Sequence, residues 1–187
     1  MDFPEFFCRV PRIRVRDPLA EFLGAAEGGV LEYGYEDAVR LAGHSCPTVA
    51  SAYVLACRSM AQLYPGELPE RGGVRVDFAG PLEHGVTGVI ASVLMLVTGA
   101  AQQGGFKGIG GHFVRRGLQQ FDAEIPLTLR LTRIDTGAAI DAAGPVARAG
   151  GSRDAGADGA LHPQRGGRRG APPLRPAVAA ARGTHPA

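Results

Sequence analysis

The sequence predicts an α+β fold in which mixed helices pack on a largely antiparallel sheet, in a single compact domain over residues 1–143. Three observations carry this expectation. Apolar residues recur every three or four positions across residues 47–64, as one face of a helix requires, whereas residues 74–78 and 127–134 alternate with the period of two of a half-buried strand. The second alternating run is followed, after Asp135-Thr136-Gly137, by another extended stretch at residues 138–143, which reads as a hairpin. Helices and strands do not repeat in regular βαβ order, which argues against a doubly wound sheet.

Taken in order, residues 2–23 alternate aromatic and basic groups, and Phe3, Phe6, Phe7, Leu19, Phe22 and Leu23 have helical spacing. Two short helices separated by Pro11 are expected there. Gly28-Gly29 is a turn, residues 30–33 are a short strand, and residues 35–41 are a helix that delivers the chain to Gly43. A long helix follows from Pro47, burying Val49, Tyr53, Ala56, Met60 and Leu63 along one stripe and ending at Pro65-Gly66. Residues 74–78 then form a strand with Val74, Val76 and Phe78 on its buried side. Residues 86–100 are apolar nearly all round and long enough to be a central helix, with Thr98-Gly99 near its end. The next stretch, residues 104–111, holds five glycines in eight positions and one lysine, Lys107. Such density implies tight backbone geometry or close approach to a ligand.

Charge divides the chain. The overall value is +2, but residues 144–187 carry seven Arg against Asp154 and Asp158, which leaves the first 143 residues slightly acidic. That Gly/Ala/Arg/Pro-rich tail has no aromatic residue, offers little apolar surface to offset the entropy of ordering, and is expected to be disordered. Its composition also resembles GC-rich DNA read out of frame. It has no Lys, no aromatic platform for bases and no amphipathic period, so neither nucleic acid nor membrane is the expected partner. Asp2, Glu5 and Arg9 interrupt the first apolar run, so no signal peptide is read. The longest apolar segment, residues 86–101, falls short of the roughly 20 residues that span a bilayer. Three cysteines are an odd number. Cys46 and Cys57 fall on one helix, about 16 Å apart at its usual rise, too far for a bridge. Reduced thiols in the cytoplasm are the expectation.

The chemistry concentrates at Gly43-His44-Ser45-Cys46-Pro47. Pro47 suits the first position of a helix, which makes Cys46 its N-cap. There the thiol faces unpaired N–H groups and the positive end of the helix dipole, both of which favour thiolate. A buried Cys beside a loop His is one reading. A metal half-site is another, since Zn²⁺ takes imidazole and thiolate together; further ligands would then come from elsewhere, with His84, His112 and Cys57 candidates by residue type. A nucleophilic Cys46 with His44 as base is a third. The Gly-rich stretch around Lys107 fits neither G-x-x-x-x-G-K-[ST] nor G-x-G-x-x-G, so it reads as a surface loop or a pocket rim whose lysine reaches an anionic group. Ile134-Asp135-Thr136-Gly137-Ala138 matches the local pattern of aspartic proteases, but that chemistry needs a second carboxylate, and a hairpin turn explains the sequence equally well.

Gly43-His44-Ser45-Cys46-Pro47, the long helix behind it, the apolar helix ending in Thr98-Gly99 and the Gly-rich segment with Lys107-Gly108 together resemble the FmdE-like family, named for its association with formylmethanofuran dehydrogenase. The resemblance covers roughly residues 15–142, and Gly-His-x-Cys-Pro is its most specific piece. It implies an α+β domain, often a homodimer, with a Zn²⁺ or similar metal at His44 and Cys46 and a small-molecule pocket to which Thr98, Gly99 and Lys107 belong. It further implies a role accessory to a molybdenum or tungsten enzyme of one-carbon metabolism. Three positions depart from the family: Thr48 stands where Gly usually follows Cys-Pro, Val89 and Ser92 stand about where the apolar helix of relatives carries Cys and Asp, and no cysteine follows for the C-terminal zinc finger that some relatives carry. The alternatives are an enzyme using Cys46 as a low-pKa nucleophile or redox thiol, with His44 beside it, and a metallochaperone or assembly factor acting on a protein partner.

Overall fold

In the first part of the chain, alternation defeats helical spacing. Ile13-Arg14-Val15-Arg16 places buried and exposed side chains by turns, and its β-branched residues favour a pleated backbone. This stretch is strand β1 (Ile13–Arg16), paired antiparallel with β2 (Val30–Tyr33), Ile13 opposite Tyr33 and Arg16 opposite Val30. Of the two helices expected around Pro11, the first is a 3-10 turn at Glu5–Arg9 and the second is only α1 (Pro18–Phe22). The Asp17 carboxylate caps α1, accepting from the Leu19 and Ala20 N–H groups at 2.9 and 3.2 Å.

The computed structural model describes residues 2–143; the tail, with the disorder and the out-of-frame origin expected of it, lies outside the described residues. Within them, α2 (Tyr35–Ala42) ends at Gly43, whose φ of 75° is the left-handed conformation that glycine adopts freely at a helix end. After a turn of three residues, α3 (Pro47–Leu63) begins with Cys46 as its N-cap. Its expected stripe, Val49, Tyr53, Ala56, Met60 and Leu63, is buried throughout. The Tyr53 hydroxyl lies 2.9 Å from the Pro11 carbonyl and 2.8 Å from that of Tyr33, sharing its proton between them and tying α3 to the N-terminal segment and to β2.

The larger sheet holds β3 (Val74–Phe78), β4 (Gln119–Gln120), β5 (Leu129–Arg133) and β6 (Ala139–Ala142) in the order β4-β3-β5-β6. Only the β3–β4 pair is parallel. Val74, Val76, Phe78, Leu129 and Leu131 form its buried face and join one hydrophobic cluster with α3 and with α4 (Thr87–Thr98). Gln119 also reaches that core, where its side-chain amide donates to the Ala91 carbonyl of α4 at 2.7 Å. On the other face, Arg130 grips Asp141 through two hydrogen bonds of 2.8 and 2.9 Å. The mixed, largely antiparallel α+β architecture expected from the sequence is what forms. No helix among the described residues is long and apolar enough to cross a membrane.

Candidate functional site

The short turn between α2 and α3 sets the geometry of His44 and Cys46. Gly43 reverses the chain, and His44 folds back so that its Nδ1 donates to the Ala42 carbonyl at 2.9 Å. A carbonyl can only accept, so the neutral ring carries its proton on Nδ1 and keeps the lone pair of Nε2 free, the arrangement found in metal-ligating histidines. The Ala42 hydrogen bond, then the neighbouring Cys46, raise the pKa of His44. The Cys46 pKa is lowered, chiefly by the Val49 N–H in the first turn of α3; burial opposes this, and His44 and the Thr48 N–H add to the lowering. The thiol makes no regular capping hydrogen bond at the start of α3. His44 is exposed and Cys46 half-buried.

Each side chain borders its own cleft. Cys46 opens on a hollow of about 330 Å³ that also touches Phe6, Val10, Tyr35, Ala50 and Val54. One polar contact marks its wall, the Tyr35 hydroxyl against the Ser45 hydroxyl at 2.8 Å. His44 borders a smaller cleft of about 160 Å³ with Leu41 of α2 and Val89, Ser92 and Val93 of α4. Val89 and Ser92, where the resemblance leads one to expect further metal ligands, therefore do face His44. In this chain they offer a methyl-bearing side chain and a hydroxyl that donates to the Gly88 carbonyl at 2.9 Å.

No family model, curated protein or solved structure matches this chain. What the site can do chemically therefore follows from its geometry.

The remaining sequence candidates lie elsewhere. Thr98 is fully buried at the end of α4, its hydroxyl donating to the Leu94 carbonyl at 2.7 Å and accepting from the Ala100 N–H at 3.1 Å. Gly99 caps α4 and packs against Arg71 and Arg115. Both are more than a helical turn beyond Val93, the last α4 residue in the His44 cleft. Lys107 stands exposed on a loop whose base is closed by the Leu118 and Gly117 N–H groups donating to Ala101 and Gln102, beyond that same end of α4. Cys57 is buried in α3, and burial pushes its thiol up to about 11. His84 sits in the turn before α4, and His112 pairs with Ile109 in the Gly-rich loop. Among the described residues no group of three or more His, Cys, Asp or Glu could hold a metal ion, so neither histidine nor Cys57 joins His44 and Cys46 as a third ligand within the chain. Asp135 turns the β5–β6 hairpin, where Arg133 grips its carboxylate at 3.0 and 2.6 Å and holds its pKa down at about 2. That settles Asp-Thr-Gly as a turn.

One buried charge cluster had no sequence signal. Asp17, 3 % exposed, accepts from Arg71 Nη1 at 2.8 Å and from Arg115 Nη2 at 2.6 Å. Arg115, 6 % exposed, fills the space where a Cβ on Gly72 would stand, and its Nε and Nη1 find no acceptor. The cluster ties α1, the segment before β3 and the base of the Gly-rich loop together. Separations of 54 and 98 residues leave no periodicity to read.

Proposed function

We propose that this protein binds a divalent metal ion, Zn²⁺ or one of similar preference, through Nε2 of His44 and the thiolate of Cys46, beside a cleft that takes a small, largely apolar molecule. The observation that carries the reading is the Ala42 carbonyl holding Nδ1 of His44, which in the neutral ring puts the lone pair on Nε2, beside a thiol whose ionised form is favoured. The donor types fit the borderline-soft zinc ion, and they amount to half of its usual set. The three free cysteines suit a reducing, cytoplasmic setting. A role accessory to a molybdenum or tungsten enzyme belongs to the same proposal, as does assembly service to a partner protein.

Elemental analysis of purified protein, repeated on Cys46→Ser and His44→Ala, tests the metal reading. Bound metal should fall to background in both variants. Stoichiometric metal that survives both substitutions defeats it.

A second reading is favoured by a separate observation, the opening of Cys46 on a hollow with His44 as neighbour. In that case Cys46 is a nucleophile or redox thiol and His44 supplies or withdraws its proton. Turnover that is lost in Cys46→Ser yet indifferent to metal removal would favour it over the first.

A further inference from the structure

Another cleft lies away from His44 and Cys46 and shares no lining residue with either of their hollows. At about 480 Å³ it is larger than both and falls in the range that holds small molecules. It forms where the end of β1, the segment between α3 and β3, and the turn after β5 meet. Arg133 fixes its floor. That side chain spends Nε and Nη2 on Asp135 and Nη1 on the Leu63 carbonyl, and its guanidinium lies 4.0 Å from the centre of the Tyr64 ring.

The groups around that floor are not spent. Tyr64 is 4 % exposed, and its hydroxyl lies against Gly73, where a Cβ would stand 3.0 Å from it. Burial raises the Tyr64 pKa, so the phenol keeps its proton, yet it donates that proton to no group among the described residues. A buried donor without an acceptor is costly, which makes it a pointer to something bound. Arg16 gives Nη2 to Glu21 at 2.6 Å but holds Nη1 3.6 Å from Glu70, too far for a hydrogen bond. Glu67 stands 3.7 Å from Arg133 in the same way. The cleft therefore sets two unspent donors, on Tyr64 and Arg16, beside two unspent carboxylates. Leu68 and Ile134, 42 and 57 % exposed, give it an apolar lip.

We propose that this cleft binds a small zwitterion with an apolar side chain, of the amino-acid class, taken free or as a short peptide. A plain anion would meet Glu67, Glu70 and Asp135, and like charges brought together repel. A plain cation would leave the Tyr64 hydroxyl without an acceptor. A molecule with both charges matches both halves: its carboxylate accepts from Tyr64 and Arg16, its ammonium donates to Glu67 and Glu70, and its side chain lies on Leu68 and Ile134. No metal takes part, so this site and the His44/Cys46 reading stand or fall separately.

Calorimetric titration of the full chain with L-leucine and with the dipeptide Leu-Leu tests the assignment. At least one should bind saturably, and the one that does identifies the source. Removing either charge from that ligand should weaken it by about tenfold or more, with isocaproate and isoamylamine as the analogues of leucine, and acetyl-Leu-Leu and Leu-Leu-amide as those of the dipeptide. Tyr64→Phe keeps the ring and loses the donor, so it should weaken the zwitterion while sparing the analogue without a carboxylate. Glu70→Gln should weaken the zwitterion while sparing the analogue without an ammonium. Binding of neither leucine nor Leu-Leu by the unaltered chain overturns the proposal, as does equal binding of the single-charge analogues. An equal loss for every ligand in both variants overturns the assigned contacts.

Discussion

Cys46 and His44 each hold the other toward its charged form, and the consequence is measurable. The His44 pKa is raised and that of Cys46 lowered, each in part by the other. Alkylation by iodoacetamide reports the thiolate. In a Cys8→Ser background, which removes the exposed thiol, its rate should reach half-maximum below the ordinary thiol value of about 8.5. Cys57, buried and held up at about 11, will not compete. His44→Ala removes a positive neighbour, so the half-maximum should move up in pH, while the N–H groups of Val49 and Thr48 keep it from returning fully. A midpoint unmoved by His44→Ala would mean that the helix start alone activates the thiol. This much of the site was legible in five letters, because Pro47 fixes where the helix begins and therefore which residue caps it.

At the scale of elements, α4 decides whether the proposed His44/Cys46 half-site could be completed within one chain. Val89, Ser92 and Val93 line the cleft that His44 borders, and Ser92 is exposed there. Ser92→Asp places a carboxylate opposite the imidazole. Zn²⁺ affinity should rise by about tenfold or more, ~1.4 kcal/mol, and stoichiometry should shift toward one ion per chain. Competition against a chromophoric chelator measures both, and an unchanged affinity would show that α4 and His44 do not share an ion's reach. The elements themselves were unequally legible. The stripe of α3, the alternation of β3 and the β5–β6 hairpin follow from periodicity and turn chemistry, which are local. β1 was hidden because Phe3, Phe6 and Phe7 suggested a helix and four alternating residues are too few to override that. β4 was hidden because Gln119-Gln120 carries no pattern; it is held by parallel pairing with β3 and by the Gln119 amide donating to the Ala91 carbonyl in the core. Thr98 and Gly99 came from resemblance alone and Lys107 from resemblance and the glycine-rich loop around it, and their positions follow from the far end of α4, where a buried ion cluster sets the packing.

For the molecule as a whole, that cluster joins parts of the chain that no local rule connects, and it should govern stability in acid. Burial alone would raise the pKa of Asp17; the hydrogen bond from Arg71, the charge of Arg115 and the Ala20 N–H outweigh burial and lower it. Both guanidinium groups stay charged at any ordinary pH. A carboxylate whose folded pKa lies below its unfolded value, about 3.9, contributes its full stabilisation above that value and loses it as the pH falls through the folded one. Asp17→Asn keeps the shape and an oxygen able to cap α1, but leaves Arg115 buried without a counter-charge. The cost at pH 7 should be about 3 kcal/mol or more, read as a lower urea midpoint. Because the wild-type advantage depends on ionised Asp17, the gap should narrow as the pH falls below about 4 and the carboxyl protonates, while the variant's own acid limb becomes shallower. A gap of equal size at pH 7 and pH 2 would mean that Asp17 acts through its hydrogen bonds alone. Arg115→Met, of similar length and without charge, separates the two contributions. It removes the buried cation together with its two unpartnered donors, so it should cost less than Asp17→Asn and leave the acid dependence weaker than in the unaltered chain.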